Sequence, residues 1–238
     1  MDKWGIIILA AGKGTRMMSS TPKVLQKLCG KEMLNLVLSN VRSVIDGEYI
    51  VVVPSEYELI KKAVNQNVKY VVQAEPRGTG NAVSIALELA DCENVFVING
   101  DVPLIEGHII DSMINTHMKS KAAATLLTAD LNSPKTLGRI IRSKDGDVKR
   151  IFEVDNEDDM QSSPTEINSG VYCFNKNLLG LYLQKIRQSK SGEVYLTDVI
   201  ELLSNEGECI DSIRLRDVER IKFGIDSKFD LEIGNSYL

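Results

Sequence analysis

The sequence predicts an α/β protein, a mixed, mostly parallel sheet with helices on both faces, followed by a smaller β-rich lobe. Two observations predict it. Through the first half, apolar runs of strand length alternate with segments of helical period, the order that builds a parallel sheet covered on both faces. Through the second half, apolar strands succeed one another across polar loops with little helix between them.

Trp4–Ala10 reads as a buried strand. Lys31–Ile45 sets Met33, Leu34, Val37, Leu38, Val41 and Ile45 on one stripe, which predicts a helix. Tyr49–Val53 is the next strand, Ser55–Asn65 a helix, Lys69–Gln73 a third strand, Thr79–Ala90 a helix and Val95–Asn99 a fourth strand. Beyond these, Ala122–Asp130, Gly138–Arg142, Val148–Glu153 and Ile167–Phe174 read as strands. Asn177–Arg187 and Leu196–Ser204 read as helices, and Cys209–Leu215 and Ile221–Ile225 as closing strands. No Pro/Gly linker, low-complexity tract or repeat divides the chain. One domain over residues 1–238 is expected, its later strands forming a side wall or lid.

Composition narrows the function. With 43% hydrophobic and 26% charged residues, 238 residues bury a substantial core in a soluble globular protein. No apolar run approaches the roughly 20 residues of a membrane span, and no export signal is expected. A net charge of −5 argues against a general nucleic-acid binder but leaves room for local cations around a small anion. The four cysteines form no C-x-x-C pair, and His108 and His117 lack metal spacing with them, so zinc is not expected and reduced thiols in the cytoplasm are. Without a G-x-S-x-G elbow, a Ser-His-Asp hydrolase is not expected.

The loop after the first strand carries the first chemical signal. Leu9-Ala10-Ala11-Gly12-Lys13-Gly14-Thr15-Arg16-Met17 is followed by Pro22-Lys23. G-x-G-x-x-G fails at Met17, and no G-x-x-x-x-G-K-[ST] occurs. Glycines still permit positive φ and close backbone approach to an anion, and Lys13, Arg16 and Lys23 supply charge-assisted bonds. In an open α/β sheet this loop lies at the carboxyl edge, where ligands bind. Taken alone, it is equally a glycine turn with solvated charges.

LAAGKGTRM followed by PKVL resembles the signature of sugar-nucleotide pyrophosphorylases, nucleotidyltransferases that join a nucleoside triphosphate to a sugar 1-phosphate. Gln73-Ala-Glu-Pro-Arg-Gly78-Thr79-Gly80 resembles that family's Q-x-x-x-x-GTG segment, and Asn99-Gly100-Asp101-Val-Pro-Leu its GDxPL motif. Gly138-Arg139-Ile, Ile151-Phe-Glu153, Glu166-Ile-Asn168-Ser-Gly170 and Gly192-Glu-Val-Tyr195-Leu-Thr197-Asp198 follow in family order. The similarity runs from Gly5 to about Phe229 and is strongest to the uridylyltransferase domain of bacterial N-acetylglucosamine-1-phosphate uridylyltransferases.

The resemblance implies a Rossmann-like fold of the nucleotide-diphospho-sugar transferase type, with residues 1–103 as nucleotide-binding half and 104–238 as sugar-phosphate-binding half. It implies Arg16 and Lys23 as catalytic cations. It assigns Leu9, Ala10, Ala11, Gly12, Gly14, Thr15, Gln73, Gly78 and Thr79 to the nucleotide. Gly100, Gly138, Glu153, Asn168, Tyr195 and Thr197 go to the sugar phosphate, and Asp101 and Asp226 to Mg²⁺. The implied reaction is transfer of UMP from UTP to N-acetylglucosamine 1-phosphate, with no nucleic-acid or membrane partner. Taken alone, Gln73 reads as a strand-end polar residue, Thr79 as a helix cap, Glu153 and Asn168 as solvated loop residues, and Asp226 as the N-cap of a helix over 227–233.

Two positions depart from the pattern: Asn99 stands where the acetylglucosamine group has tyrosine, and Asp226 where it has asparagine. Another sugar phosphate, another triphosphate, or a nucleotide-sugar-binding regulator are the alternatives. Bifunctional relatives continue into a β-helix of hexapeptide repeats that carries acetyltransferase activity. The sequence to Leu238 contains no such repeat, so uridylyl transfer alone is expected, and the oligomeric state is left open.

Overall fold

A computed structural model describes residues 3–64, 67–132, 134, 137–153, 164–189, 192–215 and 224–237. The chain runs β1 (Trp4–Leu9), a ribbon of β2 (Lys27–Leu28) and β3 (Lys31–Glu32), α1 (Met33–Arg42), β4 (Gly47–Val53), α2 (Glu58–Ala63), β5 (Lys69–Val72), α3 (Thr79–Leu87) and β6 (Asn94–Asn99). It continues through α4 (Gly107–Ser120), β7 (Ala124–Asp130), β8 (Arg139–Arg142), β9 (Val148–Phe152), β10 (Glu166–Asn175), α5 (Lys176–Leu183), α6 (Asp198–Asn205), β11 (Ile210–Leu215) and α7 (Lys228–Asn235).

The main sheet has the order β11-β7-β10-β6-β1-β4-β5, with the β8–β9 hairpin paired off β10. Strand β1 is central and parallel to β4 and β6, while β10 runs antiparallel between β6 and β7. Successive strand residues point to opposite faces. Accordingly Ile6 and Ile8 enter one core with α1, α2 and α4, and Ile7 enters the other with α3, α5 and α6. Burial on both faces is why β1 reads as an unbroken apolar run. The β-rich second half is not a separate layer. Strands β7, β10 and β11 prolong the first sheet, and the hairpin alone stands off it as a side wall.

The element boundaries shift for local reasons. Helix α1 begins at Met33 because Lys31 and Glu32 pair with Leu28 and Lys27 across a turn at Cys29 (φ 45°) and Gly30 (φ 84°). Positive φ at both central residues is what a two-residue hairpin turn requires. Helix α4 was not anticipated from the sequence. Its apolar stripe of Ile109, Ile110 and Met113 is continued by a buried histidine, His117, and its N-terminal Glu106 makes no side-chain cap. The expected strand at Ile221–Ile225 lies mostly outside the described residues, and Gly224 and Ile225 are not in a strand.

His117 carries a prediction about stability. It is 2% exposed, its Nδ1 lies 3.0 Å from Thr125 Oγ1, and its ring packs on Trp4. Burial depresses its pKa to about 4, opposed only partly by Asp211. The unfolded chain therefore takes up this proton first, near its ordinary value of about 6.5. The contribution is complete above that pH and is lost as pH falls toward the folded value. Denaturation midpoints should show the parent losing up to roughly 3 kcal/mol over that window, and His117→Gln flattening the slope. Superimposable pH profiles would remove His117 as the source.

Candidate active site

Strands β1 and β6 are in register, Leu9 opposite Asn99, so the loops at their carboxyl ends emerge side by side. Gly100 N–H donates to Leu9 O at 2.8 Å and locks them together. A Cβ at Gly100 would come within 3.1 Å of that same oxygen, so the glycine serves close packing. In the first loop Gly14 is left-handed (φ 59°), and a Cβ there would lie 2.6 Å from Lys23 Cβ. Gly14 thus makes room for the stem of Lys23. Gly12 has no positive φ and no neighbour within 4 Å, so a backbone need for glycine exists at position 14 and not at 12.

Buried Met17 anchors this loop in a small core with Leu28, Met33, Leu104 and Ile225. Ile225 N–H also donates to Asp101 O at 2.9 Å, which sets Asp226 beside Asp101 through backbone alone. The helix cap expected at Asp226 belongs to its neighbour. Ser227 accepts from Asp230 N–H, and Asp230 closes a capping box on Ser227, leaving the Asp226 carboxylate out of the cap.

Four charges meet here. The Lys23 ammonium contacts both Asp101 Oδ2 and Asp226 Oδ1, and Arg16 Nη2 lies 3.3 Å from Asp226 Oδ2. Burial works against the charged Lys23, but the two carboxylates outweigh it and raise its pKa. Asp101 Oδ1 is buried and has no hydrogen-bond partner among the described residues. Two converging carboxylates with one uncommitted oxygen are a donor set suited to a hard divalent cation.

The cluster opens onto one of two cavities that share Leu9 and Thr79 on their walls. One, of about 250 Å³, is bounded by Arg16, Asp101 and Asp226 on one side and by Gly138, Glu153, Asn168, Tyr195 and Thr197 on the other. The second, of about 420 Å³, is lined by Ala11, Gly12, Lys13, Gln73 and Gly78. A larger groove of about 1120 Å³ lies around Trp4 and Gly47, where β1 and β4 begin, away from every residue named here.

The family model for nucleotidyl transferases matches residues 6–218. The chain belongs to the nucleotidyl transferase family. This nucleotidyltransferase is 40% identical over 234 residues to the bifunctional protein GlmU of Lactococcus lactis subsp. cremoris, covering 97% of this chain and 51% of that one. It is 41% identical over 229 residues to GlmU of Clostridium beijerinckii, covering 94% and 50%. The chain thus spans about half the length of the curated relatives it matches. Among solved structures, one named for a glucose-1-phosphate thymidylyltransferase of Bacillus anthracis, in complex with a sucrose, superposes with a TM-score of 0.80 at 16% identity, covering 98% of this chain and 94% of that one. HddC of Yersinia pseudotuberculosis complexed with GMP-PN gives 0.69 at 19%, covering 99% of each. These two establish the fold.

The remaining predicted site residues of the nucleotidyltransferase are placed as follows. Ala10 is buried and lines neither cavity, and Thr15 is exposed on the turn. Gln73 is 8% exposed, and its Nε2 donates to Gly78 O and to Asn81 Oδ1, both at 3.0 Å. Both amide hydrogens are thereby committed, and Gln73 lines the second cavity. Gly78 occupies the cap position of α3 with φ 95°, and Thr79 instead accepts from Leu196 N–H at 3.0 Å. Gly80 N–H donates to Val194 O and Val194 N–H to Arg77 O, both at 2.8 Å, so the loops holding Gly78 and Tyr195 are laced together.

In the smaller cavity Glu153 Oε1 accepts from Thr197 Oγ1 at 2.8 Å. Asn168 donates to Tyr172 OH at 2.6 Å and accepts from Gly170 N–H at 3.2 Å. Sequence reasoning missed Asn81, Asn99 as a wall residue, and Tyr172. The β-bulge between Asn168 and Tyr172, with Gly170 at φ 76°, turns that strand toward Asn99. Gly170 itself is the sequence signal for it.

Proposed function

We propose that this nucleotidyltransferase transfers a uridylyl group from UTP to N-acetylglucosamine 1-phosphate, giving UDP-N-acetylglucosamine and pyrophosphate. The observation that supports it is the Lys23–Asp101–Asp226–Arg16 cluster, whose Arg16, Asp101 and Asp226 line the cavity walled by Glu153 and Thr197; that cavity shares Leu9 and Thr79 with a second one walled by Gln73 and Gly78. Residues 1–103 take the nucleotide and 104–238 the sugar phosphate. The four free thiols fit a cytoplasmic setting, and among the described residues no helix is long and apolar enough to cross a membrane.

An oxygen of the sugar phosphate attacks the α-phosphorus. The bond to the bridging β-oxygen breaks, and its electron pair leaves with pyrophosphate. Both reactants are anions, so the protein's work is positioning and charge neutralisation. Arg16 holds the departing pyrophosphate in a bidentate grip, and Lys23 neutralises the α-phosphate. Gln73 Oε1 accepts from the uracil N3–H, and Glu153 accepts from sugar hydroxyls. Asp101 and Asp226 are the residues that would hold Mg²⁺, which when bound would supply further charge neutralisation.

A pyrophosphate-release screen of the four nucleoside triphosphates against a panel of sugar 1-phosphates, in Mg²⁺, tests the reading. UTP with N-acetylglucosamine 1-phosphate should be the best pair, and release from no pair would overturn the enzymatic reading. A second reading, a different sugar 1-phosphate, is favoured by Asn99, which walls the sugar cavity in place of the acetylglucosamine group's tyrosine. The same screen separates the two.

Gln73→Ala should raise the KM for UTP about tenfold or more and leave that for the sugar phosphate nearly unchanged, since a lost buried hydrogen bond costs about 1–3 kcal/mol. Steady-state kinetics with each substrate varied in turn measures it. An unchanged UTP dependence would assign Gln73 to bracing Gly78 and Asn81 alone.

A further inference from the structure

We infer that Lys23 is the built-in counter-cation of the metal site, exchanged for the divalent ion when the triphosphate arrives. The inference rests on the reading of Asp101 and Asp226 as metal ligands. The Lys23 ammonium lies between the two carboxylates, touching one oxygen of each. Arg16 stands on the outer oxygen of Asp226 at 3.3 Å. Two negative charges are thus met by two positive ones. Little net charge remains to draw in a free divalent ion, and an incoming ion has to approach an ammonium at close range.

The Lys23 side chain is only 11% exposed, so this pairing is little screened by solvent. The backbone of Lys23 is fixed: Val24 and Leu25 beside it are buried, and its Cβ packs over Gly14. The flexible stem beyond Cβ lets the ammonium turn from carboxylate to phosphate without moving the loop. A triphosphate brings acceptors for both Lys23 and Arg16, and taking them frees the carboxylates. Metal and triphosphate binding are therefore coupled through one side chain: free metal binds weakly, and metal with nucleotide binds well. Coupling of this kind is reciprocal.

The exchange predicts opposite effects of one substitution. Lys23→Gln removes the competing charge, so it should tighten binding of free metal while weakening binding of nucleotide. The experiment is calorimetric titration of Mn²⁺ into the full chain without nucleotide, for the parent, Lys23→Gln and Lys23→Gln/Asp101→Asn. Lys23→Gln should bind Mn²⁺ about tenfold tighter or more than the parent, given the removal of one close positive charge. The double variant should lose that gain. Thermal melting gives a second readout if Lys23→Gln is less stable, because Mn²⁺ should raise its Tm more than the parent's. Mn²⁺ binding to Lys23→Gln no tighter than to the parent overturns the inference, as does a gain that persists in the double variant. Failure of the uridylyl-transfer reading appears in the pyrophosphate screen and not in this titration, so the two failures are told apart.

Discussion

Asp101→Ala abolishes nucleotidyl transfer while leaving the fold intact; this is the expected result with the largest effect. The Asp101 side chain supplies one of two carboxylates in the cluster and the buried oxygen that has no partner among the described residues. On the proposed reading its removal takes away a metal ligand, and it leaves Lys23 with Asp226 alone. The backbone bond from Ile225 N–H to Asp101 O does not depend on the side chain, so the two segments stay joined. Charge neutralisation at a phosphoryl centre is worth several powers of ten, and a loss of at least about a thousandfold in kcat follows. Asp226→Asn should keep measurable activity, because it restores the residue found in the acetylglucosamine group and an amide oxygen still offers an acceptor. Turnover assays with circular dichroism and melting temperatures measure both. Wild-type kcat in Asp101→Ala would remove the carboxylate from the chemistry.

The sequence made the sheet's first half legible because its central strands are buried on both faces and its helices on one. Trp4–Leu9 and Asn94–Asn99 carry that signal without interruption. Helix α4 escaped because its stripe runs through His117, a polar residue made acceptable inside by Thr125 and Trp4, which belong to distant segments. The placement of β7, β10 and β11 in the same sheet was likewise not legible, since strand order is decided by long-range pairing.

The site shows the same division. Asp101 was legible as a carboxylate placed just past an apolar strand, and Gly14 as a turn glycine. That Gly14 clears the stem of Lys23, and that Lys23 reaches two carboxylates 78 and 203 residues away, appears only in the folded chain. Gly78 and Gly80 were read through a nucleotide motif, whereas the structure also presses both against the Val194 backbone.

Arg16 carries the other large expected effect. Its side chain is 66% exposed at the edge of the smaller cavity, tied to Asp226 but not buried by it, and so is free to close on an arriving phosphate. Negative charge grows on the departing pyrophosphate as the bond to the α-phosphorus breaks. A cation there stabilises the transition state more than the ground state, and its loss appears in kcat rather than only in KM. Arg16→Ala should lower the rate at saturating UTP by roughly a thousandfold, the range seen for other transition-state cations. Arg16→Lys retains the charge but not the planar two-pronged donor set, so it should recover only part of the rate. Two neighbours serve as internal comparisons. Lys13 is exposed on the wall of the second cavity, which neither Asp101 nor Asp226 lines, and Lys13→Ala should change the rate least. Gly14→Val forces a side chain into the left-handed region and against Lys23 Cβ, so it should weaken UTP binding through a displaced Lys23. Single-turnover and steady-state kinetics on the four variants separate these effects. An Arg16→Ala enzyme that turns UTP over at the parent rate would leave the loop as a turn that positions Lys23 and nothing more.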